Sequence, residues 1–578
     1  MHLRRNDKTI RICGESYQLA TAHDRPFVYL ECGNGERLAE LFVLSSVHPL
    51  HDRDDTVAAG AWEVEEREGV ILLSLVAHSS VWAEKRYRFR CYPERFIYEV
   101  EVAGRGALAE VHYFGGYYSG NLRWGSGFFP SGQQFAEGFS PEPNDYEASF
   151  FAPDSSTAIN LTGVPLPGRG DWFFTPPPFC FALAHDGAEG LLWTGIGVEA
   201  PPGQNSFADY GYNGGHGTFF LTLNYEGHTA VDGRYRLPAI GFDFASGPYE
   251  AVAAHVAALR EAGCVTAKGA AAAPAWWRSP LFCGWGSQCY LASLEPGRPA
   301  DFARQETYEG FLLALAMNEV DPGIVVLDDK WQASYGGNEV DKGKWPDLPG
   351  FVAHQHAAGR HVLLWLKAWD PEGVPAAECI TNAGGLPIAV DPTNPAYERR
   401  LRTAVRRMLA ADGYNADGFK IDFSARIPSG PGIRTSGQLW GLELMRRYLQ
   451  IIYEEAKQVK ADALIMTHTP HPYLADVVDM LRLNDMNVGT DIVRAMQHRA
   501  QIASIACPGV VIDTDNWPVT DRATWRAYLP LQAELGVPSL YYVSHVDATG
   551  EPLLAEDYEL IRRVWQRFRE RQADKELS

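Results

Sequence analysis

The sequence predicts a multidomain α and β protein. An N-terminal antiparallel β-sandwich (a supersandwich) spans residues 1–268, and a (β/α)8 barrel spans residues 275–578. Three observations carry this reading. Up to about residue 265 apolar and polar residues mostly alternate with period two. Beyond the stretch Gly269-Ala-Ala-Ala-Ala-Pro274, short apolar strands alternate with amphipathic helical stretches. Three of those strands end on aspartate, as the strands of a parallel barrel do where they build the floor of a site.

The elements follow in order. Arg86-Tyr-Arg-Phe-Arg-Cys-Tyr92 and Phe96-Ile-Tyr-Glu-Val-Glu-Val102 alternate cleanly. Gly190–Gly197 and Thr218–Tyr225 are further strand-like runs, and clusters of Gly, Pro, Asn and Asp separate them. One helix, roughly Pro248–Ala262, closes this half, and the alanine-rich stretch that ends at Pro274 is a linker. Buried strands are then expected near 281–285, 324–327, 362–366, 418–421, 463–466, 480–483, 510–512 and 539–543. Between most of them lie helical stretches such as Asn394–Leu409, Gln438–Lys457 and Ile492–Ser504. A last helix lies near Glu559–Arg571, which leaves no room for a C-terminal β domain.

Composition narrows the function. With 578 residues the chain exceeds one ordinary core, and 46% hydrophobic with 21% charged residues is a globular balance. The 16 Trp, 26 Tyr and 27 Phe suit carbohydrate pockets and large cores alike. Lys and Arg number 51 against 72 Asp and Glu, a charge of −21 that repels phosphate backbones and argues against nucleic acid. Met1–Lys8 lacks the apolar core of a signal peptide, and no apolar run is long enough to span a membrane. The nine cysteines form no CxxC pair; Cys283 and Cys289 are placed on a strand end and the loop after it. Reduced thiols in a cytoplasmic protein are expected.

The aspartate endings carry the chemistry. They are Gly418-Phe-Lys-Ile-Asp422, Leu481-Arg-Leu-Asn-Asp485 and Val325-Val-Leu-Asp328-Asp329. Two carboxylates facing one another across a pocket are the minimum equipment for cutting a glycosidic bond. Alternation puts Lys420 on the same side as Asp422, where it can lower the acid's pKa and keep a nucleophile ionised. A structural Lys–Asp pair is the other reading. Asp485 would then be the proton donor, with a loop cap as its alternative. Asp476 and Asp479 precede their strand and belong to the opposite rim. Asp328 and Asp329 beside Trp331 suit a sugar grip. A metal site that also used His468, His471 and His545 is the alternative. His-X-His after the first strand is absent, its place taken by Gly284-Trp285-Gly286-Ser287, so no metal is expected and His468 is read as a hydrogen-bonding rim residue. Asp513 and Asp515 either bind substrate or cap their loop, and Trp172 either packs in the sandwich or reaches over the pocket. No Gly-rich phosphate loop follows a strand, so no cofactor is expected.

Together these motifs resemble the glycoside hydrolase clan of families 27, 31 and 36, and family 36 α-galactosidases most. Leu327-Asp-Asp-Lys-Trp331 is similar to that family's Leu-Asp-Asp-Gly-Trp, and Trp345-Pro-Asp347 to its Trp/Phe-Pro-Asp segment. Lys420-Ile-Asp422 matches the Lys-X-Asp nucleophile strand, Asp485 best matches the acid/base, and Gly284-Trp-Gly-Ser287 is similar to Gly-Trp-X-Ser/Thr. The sequence departs at Lys330, at Leu364-Trp-Leu-Lys367-Ala-Trp369, in the Arg482-to-Asp485 spacing, and at Thr467-His-Thr-Pro-His471. The resemblance implies catalysis by Asp422 and Asp485. It implies a substrate pocket drawn from Asp328, Asp329, Trp331, Lys420, Trp285, Lys367, Arg482, His468 and Asp513.

The expectation is a retaining, exo-acting α-glycosidase, α-galactosidase-like, that takes an oligosaccharide or glycoside as partner and uses neither metal nor cofactor. Homo-oligomers are common among such relatives. The alternatives are an α-glycosyltransferring, α-glucosidase-like or α-xylosidase-like relative, a metal-dependent barrel hydrolase, and a non-catalytic sugar-binding protein on the same scaffold.

Overall fold

The computed structural model covers residues 1–578 and describes all but 24, 121–122, 129–158, 161–178, 188–189, 216–217, 269–272, 484, 486–491 and 578. Trp172 and most of the alanine-rich stretch lie outside the described residues.

In the N-terminal part, sequence alternation becomes alternating burial. Along Glu84–Cys91 the side chains of Lys85, Tyr87, Phe89 and Cys91 are buried and those between them are not. The described strands join into one hydrogen-bonded network of 19 strands, antiparallel except where Tyr117–Tyr118 runs alongside Asp55–Thr56. The antiparallel strands that period two predicted are present, and hydrogen bonding links them all into one network. The strands Arg95–Tyr113 and Thr218–Arg236 are 19 residues each and pair over most of their length, with a bulge between Leu108 and Glu110 where the ribbon can bend.

Eight parallel strands follow: Leu281–Cys283, Ile324–Leu327, His361–Lys367, Gly418–Asp422, Leu464–Thr467, Met480–Arg482, Val511–Asp513 and Ser539–Leu540, here called barrel strands 1 to 8. Strands 1 to 6 each pair in parallel with the next, and strand 8 pairs in parallel with strand 1. Strand 7 touches the residues before strand 8 through one bridge, Asp513 to Val537, so the barrel is nearly closed. Helices sit where periodicity placed them. Pro395–Leu409 starts on Asn394, whose side chain accepts from Ala396 N, and buries Tyr397, Leu401, Ala404, Val405 and Met408. Gly441–Val459 packs beside it. Cys289 lies within helix Trp285–Leu294 rather than in a loop, because the chain turns helical directly after strand 1.

Two close approaches fix the assembly. Gly418 opens strand 4 at φ 156°, where a Cβ would sit 2.0 Å from Leu464 O, so only glycine lets strands 4 and 5 pair. A Cβ on Gly197 would meet His255 Nε2 at 2.1 Å, and its absence lets helix Pro248–Glu261 lie against the sheet. His255 and Arg95 both hold Asp243 beneath that helix, at 3.1 and 2.6 Å. Ala251, Val252 and Val256 belong to the barrel's core cluster, so the helix expected to close the first half also serves the second. No helix among the described residues is long and apolar enough to cross a membrane.

Candidate active site

Acids at the two ends of the barrel have different duties. At the amino-terminal rim, Asp417 precedes strand 4, accepts from Val362 N at 2.8 Å and is paired with Lys460 at 3.0 Å and His356 at 2.7 Å. Asp479 precedes strand 6, accepts from Ile465 N at 3.0 Å and pairs with Lys268 and Lys457 at 2.8 and 2.7 Å. Asp476 is clamped by Arg446 at 2.6 and 2.7 Å. Asp417 and Asp479 tie strands to the segments around them, and Asp476 ties the short helix Pro472–Val477 to helix Gly441–Val459. Their charges are spent on that.

At the carboxyl-terminal rim the acids converge on one cation. Arg482 ends strand 6 with a side chain only 2% exposed. Its Nη2 donates to Asp422 Oδ1 at 3.0 Å, and its Nη1 donates to Asp485 Oδ1 at 2.6 Å and to Asp515 Oδ2 at 2.5 Å. Asp422 and Asp485 thus share a guanidinium fork, their oxygens separated by no more than two hydrogen bonds and the width of the fork. Both reach solvent, with side chains 13% and 22% exposed. Trp365 Nε1 donates to Asp422 Oδ2 at 3.1 Å, and His468 Nε2 lies 3.5 Å from Oδ1. The backbone of Asp485 is held by Arg499, which donates to its carbonyl at 2.9 Å.

The two acids are pushed apart in pKa. Burial alone would raise Asp422, but the charges of Arg482, Lys420 and His468 overcome it and hold the carboxyl well below the usual carboxylate range. Burial, joined by the negative charges of Asp515 and Asp422, pushes Asp485 up to about 7 against the pull of Arg482. One carboxylate is kept ionised and the other can carry a proton near neutrality. Trp369, Phe423 and Asp515, just beyond strands 3, 4 and 7, adopt left-handed backbone at φ 67°, 58° and 53°. Such conformations in non-glycine residues gather where function over-determines the backbone.

The remaining expected residues divide. Lys420 is buried and donates to Asp328 Oδ2 at 2.7 Å, so its direct partner is Asp328 and it acts on Asp422 through space. Asp328 also accepts from Cys283 Sγ at 3.0 Å and is buried, which makes it the anchor of that lysine rather than an open sugar grip. Asp329 is more available: Tyr335 OH donates to its Oδ1 at 2.9 Å, and burial pushes its carboxyl up to about 6. Trp331 points away. It is fully buried, with Nε1 donating to Trp365 O at 2.8 Å, so it packs behind the site instead of covering a sugar face. Lys367 pairs with Asp370 at 2.8 Å and lies 4.3 Å over the Tyr335 ring. Trp285 meets Trp517 edge to face at 6.0 Å. Asp513 is buried in the barrel, accepts from Ser539 Oγ, and leaves Oδ2 without a hydrogen-bond partner among the described residues. Burial and the nearby Asp515 charge push it up to about 6. His471 caps a short helix and His545 stacks on Tyr290, so neither joins His468. No group of three or more His, Cys, Asp or Glu set to hold a metal is found among the described residues.

Sequence reading missed Trp365, Tyr335 and the attachment of Asp515 to Arg482. Trp365 had a signal. It lies two residues before Lys367 and opposite Lys420 in register, hence on the face that looks toward Asp422. Tyr335 follows its strand by eight residues in a loop that no periodicity orders.

Neither a protein-family profile nor a curated protein sequence matches the chain. Solved structures do match in shape. A GH31 family sulfoquinovosidase from E. rectale aligns with TM-score 0.57 and 11% identity over 98% of this chain and 82% of that one. The cycloalternan-forming enzyme from Listeria monocytogenes aligns with TM-score 0.50 and 12% identity over 98% of this chain. The alignment takes in 54% of that enzyme, so this chain spans about half its length. At these identities the likeness is one of fold.

Proposed function

We propose that this protein is a retaining, exo-acting glycosidase for α-linked sugars, with Asp422 as nucleophile and Asp485 as acid and then base. The observation that carries the reading is the pair of carboxylates on one buried arginine with oppositely displaced pKa values. A permanently ionised Asp422 would attack the anomeric carbon while Asp485 gives its proton to the departing glycosidic oxygen. The sugar is left as an ester of Asp422. Asp485, now a carboxylate, would take a proton from water as that water opens the ester, and configuration is retained. The fold shared with a sulfoquinovosidase supports a sugar-cleaving barrel.

For specificity we take α-galactoside first, on the resemblance of Leu327-Asp-Asp-Lys-Trp331 to the family 36 motif. Asp329, whose carboxyl faces Tyr335, is the better candidate of the aspartate pair for holding sugar hydroxyls. The test is hydrolysis of nitrophenyl α-galactoside, α-glucoside and α-xyloside by the native protein and by Asp422→Asn. Asp422→Asn should lose about a thousandfold or more in turnover while staying folded. A folded Asp422→Asn protein that keeps native turnover would move the nucleophile elsewhere. A native protein inert on all three, yet able to bind the sugars, would favour the sugar-binding alternative.

A further inference from the structure

All the residues discussed above as active-site groups belong to the barrel, yet the N-terminal sheet carries a cavity of its own, about 680 Å3 in volume. His48, Arg53, Glu110, His112, Tyr117 and Phe220 contribute to its lining. Strand register explains the grouping. Glu110 and His112 lie two apart on one strand and so share a face, and His48 pairs directly opposite Glu110. Phe220 sits diagonally across from His112, with ring centroids 5.0 Å apart. Tyr117 meets His48 edge to face at 5.8 Å and lies under the Arg53 guanidinium at 4.6 Å.

The polar groups are set for a ligand. The His112 side chain is 6% exposed, and neither of its ring nitrogens has a hydrogen-bond partner among the described residues. Its Nε2 lies 3.0 Å from the Glu110 carboxylate but out of hydrogen-bonding geometry, so both ring nitrogens are left unpaired on the wall of the cavity. A buried nitrogen without a partner is costly, and its position on a cavity wall gives a reason to keep it. His48 does have a partner. Its Nδ1 accepts from Asp54 N at 3.0 Å, so its proton sits on Nε2. Burial and the neighbouring His112 lower its pKa to about 4, and the ring is neutral at ordinary pH.

We propose that this cavity binds one sugar unit of a glycan, at a site separate from the barrel. Its lining holds both donors and acceptors: the Nε2–H of His48 and the guanidinium of Arg53, the Glu110 carboxylate, and the unpaired imidazole of His112. Vicinal hydroxyls, each both donor and acceptor, suit such a mixed lining, and the rings of Tyr117 and Phe220 stand beside it for the C–H side of a pyranose. An anion would meet Glu110. A divalent ion would need three converging ligands, which the described residues do not supply. A glycan held here would keep its chain ends at high local concentration around the protein. The site stands whether or not the barrel cleaves sugars.

Crystals of the full chain soaked with methyl α-D-galactopyranoside, and separately with methyl α-D-glucopyranoside, test it alongside calorimetric titration of both sugars. We expect one of them in the cavity, with a hydroxyl on the His112 imidazole and a ring face against Tyr117 or Phe220. His112→Phe and Tyr117→Ala should each weaken that binding about tenfold. Neither should change kcat/KM for a nitrophenyl α-glycoside or, beyond a small shift, the melting temperature; Tyr117→Ala keeps the test open if His112→Phe does not fold. Sugar found only in the barrel, calorimetric binding that both variants leave unchanged, or a cavity that takes zinc or inorganic phosphate in place of sugar would overturn the proposal.

Discussion

Replacing Asp515 with asparagine asks whether the shared arginine sets the working pH. Asp485 and Asp515 accept from the same nitrogen of Arg482, at 2.6 and 2.5 Å. Their oxygens are therefore no farther apart than about 5 Å, where two unit charges at an effective dielectric near 20 repel by about 3 kcal/mol. That is worth about two pH units on Asp485, and the intervening guanidinium reduces it toward about one. The sign follows from the role. Asp485 must be protonated to act as acid, and the neighbouring negative charge helps to keep its proton on. Without that charge the proton leaves at lower pH. The basic limb of kcat/KM, expected near pH 7 in the native protein, should move down by about one to two units. Asparagine tolerates the left-handed backbone at this position, φ 53°, and its carbonyl can still accept from Asn516 N. The lost bond to Arg482 should cost about 1–3 kcal/mol of stability. The assay is kcat/KM for a nitrophenyl α-galactoside across the pH range, with circular dichroism as the check on folding. A basic limb that stays in place or moves upward in a folded variant would refute Asp485 as the proton donor.

Three further outcomes are expected. Arg482 and Lys420 hold Asp422 below the ordinary carboxylate range against the opposing effect of burial, so the acid limb of kcat/KM should lie below about pH 4; a limb above pH ~5 would contradict an ionised nucleophile of this kind. Asp422→Gly given azide should release a glycosyl azide of inverted configuration, and its absence from the product mixture under rescue would argue against a covalent intermediate. Asp417→Ala leaves Lys460, His356 and Val362 N without their shared acceptor and should cost about 3–5 kcal/mol in denaturant unfolding. Burial opposes it, but His361, the Val362 amide, Lys460 and His356 keep the Asp417 carboxyl well below its usual range. Its contribution is therefore complete above about pH 4 and fades as pH falls through the folded-state value. The gap between native and variant stability should shrink in acid.

What the sequence disclosed depended on periodicity. Eight apolar runs with helical stretches between them suffice to place a barrel, since a strand buried on both faces reads as a short apolar run whatever its partners. The same reading placed Asp422 and Asp485 beyond their strands and Asp479 before one, and so sorted acids by rim. Partners were harder to read. Lys420 alternates onto the same face as Asp422, yet its ammonium goes to Asp328 on strand 2, because the barrel brings that carboxylate to 2.7 Å and Arg482 already holds Asp422. Trp331 beside two aspartates looked like a sugar platform. It turns inward because Trp365 O offers its indole N–H a buried acceptor. In the N-terminal part alternation gave the strands but could not give their joining into one network, which depends on pairings between strands far apart in sequence, such as Arg95–Tyr113 with Thr218–Arg236.

The cluster around Arg482 also bears on how one residue could serve as acid and then as base. Asp328 has Lys420, while Asp422 and Asp515 already lean on Arg482, so Asp485 shares a guanidinium that serves two other anions. Asp485 is also the most exposed of the three carboxylates on the arginine, and burial with the charges of Asp515 and Asp422 is what keeps it protonated near neutrality. On the proposed mechanism that balance changes midway. Once Asp422 has become a glycosyl ester its negative charge is gone, and one of the forces holding the proton on Asp485 goes with it. The guanidinium of Arg482 then has one fewer anion to serve, and Asp485 is drawn toward the carboxylate form in the step that needs a base. When water cleaves the ester, the charge returns to Asp422 and favours protonation of Asp485 again. A single arginine that joins both acids is thus enough to couple the state of the nucleophile to that of the proton carrier, with no movement of either strand.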